Sequence, residues 1–276
     1  MLNADPLGGY TGIYDFNGEP ITYHMEGEGS PVLMTMGLSA RCGSYYWRHI
    51  FDCMAGTFKM YALDPPGIEH EKSRLKYGST HYQRLIEGFL QSVIREKLSI
   101  ISGPSTAQYV LKAAFEHPKL VDKILLISPD GVRHILTHDT IGRSVVYRIL
   151  RIPKVESVMY GNIASKRSML IFLRKIYGRL DYKKSRALEE GHTRQHFPPL
   201  PALSERRFIE SAWSASLIQA PIKLSKMIRK SKRIVGEMDD FRILRNSRLI
   251  VFQRSGERPM RKDALRFCDD AIKFLG

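Results

Sequence analysis

Hydrophobic positions in this chain follow two rhythms. Short, nearly continuous apolar runs occupy residues 32–36, 58–63, 98–102, 123–128 and 247–252. Each is rich in β-branched or aromatic residues and short enough for a strand buried on both faces. Between them, apolar residues recur at helical spacing: a helix is predicted to start at Ser44, and others to cover residues 82–94, 106–116 and 262–275, the last with Ala264, Phe267, Ala271 and Phe274 on one face. The chain before the first run differs. Residues 10–16 and 20–25 alternate around Asn17-Gly18, a dipeptide suited to a tight hairpin turn, and Gly27 to Pro31 supply a second turn.

Strands alternating with helices predict an α/β fold with a doubly wound, mostly parallel sheet. The rhythm changes at residues 132–220, which are helical, basic and free of strand signals. They read as a helical insertion within a single structural domain. The core is then residues 1–131 and 221–276, long enough together to bury a sizeable interior.

Charge alters this picture more than bulk composition does. The chain of 276 residues has a formal net charge of +15, and all of that excess sits in its second half. Residues 1–139 hold 13 Lys/Arg against 15 Asp/Glu, and residues 140–276 hold 30 against 13. Such asymmetry points to an acidic partner, either an acidic protein surface or an anionic membrane surface. The densest positive run, residues 223–233, has no interleaved aromatics and no glycine-rich phosphate cradle, which argues against sequence-specific nucleic-acid recognition. Residues 165–180 pair a broad apolar face with flanking Lys and Arg. That pattern suits a helix lining the insertion first, and a helix lying at a lipid interface second.

Cys42, Cys53 and Cys268 show neither metal-ligand spacing nor a disulfide framework, so a reducing compartment, no metal and no cofactor are expected. The first residues lack a basic then apolar leader, and no run of about 18 apolar residues occurs. A cytoplasmic protein is the expectation, peripheral at a membrane or within a larger complex.

The chemistry-bearing stretch is Leu98-Ser-Ile-Ile-Ser-Gly-Pro-Ser105-Thr-Ala-Gln-Tyr-Val. A buried strand, a tight Gly103-x-Ser105-x-Ala107 turn and a helix would raise the Ser105 hydroxyl at an apex, as a nucleophile elbow does. Other segments fit the same scheme in order. They are Pro31-Val-Leu-Met-Thr-Met36-Gly37-Leu38, then Ser44-Tyr-Tyr-Trp47-Arg, then Tyr61-Ala-Leu-Asp64-Pro-Pro-Gly67, then His117-Pro118 leading into Ile-Leu-Leu-Ile-Ser-Pro129, and finally Ser255-Gly256-Glu257. In this order and spacing the chain, over about residues 10–275, resembles the capped α/β-hydrolase-fold proteins of the epoxide-hydrolase and haloperoxidase kind.

The resemblance implies that residues 132–220 form a cap over a pocket for a small apolar ligand. It places Ser105 at the nucleophile position and the backbone amides of Leu38 and Thr106 at the oxyanion hole. The acid falls on Asp239, in Gly236-Glu-Met-Asp, or on Asp130 after the preceding strand. The base is absent. Glu257 stands where the resemblance implies histidine, and no histidine follows His196. Met36 likewise stands where a histidine is usual beside the oxyanion segment. His192 or His196, in the implied cap, could reach the site only from above.

A serine hydroxyl is a poor nucleophile until a base takes its proton. A carboxylate of ordinary pKa, about 4.3, accepts that proton weakly. The sequence therefore predicts a pseudo-hydrolase acting as a binding or complex-forming subunit. The alternative is an active serine hydrolase on a small apolar ester, using Ser105 and an unconventional base.

Overall fold

The computed structural model describes residues 7–35, 44–64, 79–103, 106–127 and 259–276, with Ile152, Val155, Val158, Ile250 and Phe252 as isolated positions. Among the described residues, six strands form one mixed sheet in the order β1-β2-β4-β3-β5-β6. β1 (Tyr10–Phe16) and β2 (Glu19–Glu26) are the antiparallel hairpin, and β2 runs antiparallel to β4 (Lys59–Leu63). β3 (Pro31–Thr35), β4, β5 (Leu98–Ser102) and β6 (Val121–Leu126) are parallel. Asn17 and Gly18 both take positive φ, 55° and 81°, which matches the twist of the two strands they join.

The two-residue period of the central strands sorts their side chains between two cores. Val32, Met34, Met60, Ala62 and Ile101 face one side. There they meet Trp47 of a single 3-10 turn (Ser44–Trp47), Phe51 and Met54 of α1 (Phe51–Ala55), and the C-terminal helix. Leu33, Tyr61, Leu63, Leu98 and Ile100 face the other side. That face is covered by Tyr82, Leu85, Ile86 and Phe89 of α2 (Ser79–Phe89) and by Tyr109, Val110 and Ala113 of α3 (Ala107–Glu116). Helices on both faces of a mostly parallel sheet make the fold doubly wound, as the alternation predicts.

Local departures have local causes. The helix expected from Ser44 is broken into the 3-10 turn and α1, because Ile50 leaves helical geometry at φ −130°. α2 starts at Ser79 and closes in a π turn (Leu90–Ile94), where Arg95 takes left-handed φ and its N–H bonds Leu90 O at 2.9 Å. The strand expected at 123–128 sits two residues earlier, at Val121–Leu126. The terminal helix is split into α4 (Pro259–Lys262) and α5 (Ala264–Leu275), and its buried face is Phe267, Cys268, Ala271 and Leu275. Of the strand expected at 247–252, Ile250 and Phe252 are described, and neither is in a strand. Phe252 packs on Phe267, with the Arg266 guanidinium 4.7 Å from its ring centre. Apart from Ile152, Val155 and Val158, the expected cap lies outside the described residues.

Candidate functional site

From β3 the chain crosses to β4 on one side, and it later returns to β5 on the other. In sheets of this kind such a reversal opens a crevice beyond the carboxyl ends of the strands, where ligands bind. The carboxyl ends in question are Thr35 and Ser102, neighbours in register.

Both ends are polar, although the strands behind them are apolar. Ser102 is fully buried, and Thr35 and Thr106 nearly so. Thr106 precedes the first turn of α3, and its Oγ1 lies 3.0 Å from Ser102 Oγ and 3.2 Å from Thr35 Oγ1. It also lies within 3.3 Å of the carbonyls of Thr35 and Gly103. Ser102 Oγ donates to Gly103 O at 3.1 Å, and Gly103 N–H donates to Thr35 O at 2.9 Å. Three hydroxyls and two carbonyls thus form a closed buried clip. It joins the end of β3, the end of β5 and the start of α3.

A second anchor lies one strand away. Asp64, at the end of β4, accepts the Ser44 N–H through Oδ1, and its Oδ2 is 3.6 Å from His24 Nε2 on β2. His24 Nδ1 is in turn 3.3 Å from Thr11 Oγ1. Asp64 thus ties Ser44, at the start of the 3-10 turn, to the sheet.

No family model matches the chain, and no curated protein matches it in sequence. Solved structures do match. CarC, a serine hydrolase involved in carbazole degradation, aligns at a TM-score of 0.69 and 16% identity, over 97% of this chain and 99% of its own. The meta-cleavage product hydrolase CumD aligns at 0.67 and 17%, over 96% and 97%. The epoxide hydrolase CorEH aligns at 0.65 and 15%, over 96% and 98%. The chain has the α/β-hydrolase fold.

On the α/β-hydrolase scheme, Thr106 is the one site residue among the described positions, and its side chain is committed to the clip. Ser105, Leu38, Asp239, Asp130 and Glu257 lie outside the described residues, as do His192 and His196. Of the nine histidines, four are described. His24 sits on β2, three strands from β5 and hence about 14 Å away across the sheet. The His81 ring packs edge-on against Phe16 of β1, still further out, and lies 3.7 Å from Glu19. Burial lowers the His81 pKa to about 4. His117 closes the far end of α3 beside Gln91, about 16 Å along the helix from Thr106. His49 is exposed after the 3-10 turn.

Thr35 and Ser102 were not singled out by motif reasoning. Their signal is a hydroxyl at the last position of each of two apolar strands. Among the described residues no helix is long and apolar enough to cross a membrane, and no group of three His, Cys, Asp or Glu is placed to hold a metal.

Proposed function

We propose that this α/β-hydrolase-fold protein is a non-catalytic binding or complex-forming subunit. The observation that carries the reading is the absence of any histidine after His196, with Glu257 at the expected base position. In this fold the base follows the acid in the chain. The described histidines support the same reading, because His24, His81 and His117 are engaged away from the elbow. Loss of one triad member costs on the order of 10⁴–10⁶ in rate in characterised serine hydrolases. The basic second half would engage an acidic protein face or an anionic membrane, and the space beneath residues 132–220 would take a small apolar ligand.

A second reading, an active serine hydrolase on a small apolar ester, is favoured by one specific observation. The Thr35–Ser102–Thr106 clip ties the end of β5 to the start of α3, between which Ser105 falls in the sequence. Structural neighbours include proteins described as serine hydrolases. A fluorophosphonate, which reacts with activated serine hydroxyls, separates the two. The first reading predicts that Ser105 stays unmodified, and labelling that depends on Ser105 favours the second.

A further inference from the structure

Two cysteines far apart in sequence lie on helices that pack together. Cys53 is exposed on α1 and Cys268 is buried on α5. The two helices pack together, with Phe51 and Met54 of α1 in the same core as Phe267 and Ala271 of α5. The two thiols lie within electrostatic range of each other across that contact. A disulfide requires its two sulfurs to approach with their backbones already close, and the packing of α1 on α5 brings the two backbones together.

The two positions differ in chemistry. Burial, followed by the interaction with Cys53, pushes the Cys268 thiol up to about 12. Cys53 faces solvent, where a soluble oxidant reaches it first. The pair therefore has the form of an accessible thiol beside a sheltered resolving one.

We propose that Cys53 and Cys268 form a reversible thiol switch that closes to a disulfide under hydrogen peroxide and reopens with a dithiol reductant. In the first step the Cys53 thiolate attacks one peroxide oxygen. The O–O bond breaks, and the departing hydroxide takes up the thiol's proton as water, leaving a sulfenic acid. In the second step the Cys268 sulfur attacks the Cys53 sulfur. The S–O bond breaks, and the hydroxide leaves with the Cys268 proton as a second water. Two thiols lose two electrons in total, and one peroxide gains them. The product fastens the C-terminal helix covalently to α1. It closes a loop that spans most of the chain, which constrains the unfolded state and raises stability.

The test uses the full chain carrying Cys42→Ser, so that only these two thiols remain. After treatment with hydrogen peroxide, free thiols are alkylated and peptides are mapped by mass spectrometry without reduction. The expected result is a monomer that has lost two hydrogens, with the Cys53 and Cys268 peptides linked, both alkylation sites lost together, and a higher Tm than the reduced form. Dithiothreitol restores both thiols. A further Cys53→Ser change, at the exposed position, should leave Cys268 fully alkylatable. The proposal is overturned if Cys53 proceeds to sulfinic acid or to an intermolecular link while Cys268 remains a free thiol.

Discussion

Thr106 shows how much one hydroxyl does at the elbow. Its Oγ1 touches Ser102, Thr35 and the Gly103 carbonyl, all buried. Thr106→Val keeps the shape and removes the hydroxyl, which leaves buried polar partners unsatisfied. The expected loss is about 1–3 kcal/mol, read by urea unfolding. A loss within about 0.5 kcal/mol would place the clip among inconsequential surface contacts. The residue types were legible in the sequence. That Thr35 and Ser102 converge on Thr106 was not, because their meeting depends on the register of β3 against β5, a tertiary choice that local patterning does not encode. Cys53 and Cys268 were hidden for the same reason. Their spacing excludes a local motif and says nothing of two helices packing.

At the level of elements, strand β5 was legible to the residue, since Gly103 and the apolar run fix both its ends. The hairpin was equally plain from Asn17-Gly18. The start of α2 was missed by three residues, because polar Ser79, Thr80 and His81 carry no apolar periodicity. His81 is nevertheless buried there, against Phe16 of β1 and beside Glu19 at the start of β2, so it joins α2 to the hairpin. Its folded pKa, about 4, lies below the ordinary 6.5, so the unfolded chain binds more protons between those values. Stability contributed by the neutral ring is complete above about pH 6.5 and is lost as the pH falls toward 4. The contribution reaches at most about 3 kcal/mol, less whatever the nearby Glu19 carboxylate returns by favouring the charged ring. Unfolding free energies of the parent and of His81→Gln, measured from pH 7 to 4.5, should differ in slope, with the variant shallower. Equal slopes would contradict the burial of a neutral imidazole.

For the whole molecule, the order of motifs along the chain was enough to give the fold. The strand order was not legible, because nothing local says that the chain returns to pair β5 with β3 on the side opposite β4. Charge is the other whole-molecule property, with 30 Lys/Arg against 13 Asp/Glu after residue 139. If that excess meets an anionic membrane, binding to vesicles containing phosphatidylserine should fall steeply with added salt and vanish for neutral vesicles. Binding that is absent or indifferent to salt would remove the membrane and leave an acidic protein face as the partner. The central claim concerns Ser105, and it is tested most directly by intact-mass analysis after incubation with a fluorophosphonate. The parent protein and Ser105→Ala are run beside a competent serine hydrolase. A non-catalytic subunit predicts no adduct on either form while the control enzyme labels fully. A single adduct on the parent, lost in Ser105→Ala, would contradict it and show that a residue other than histidine activates the serine.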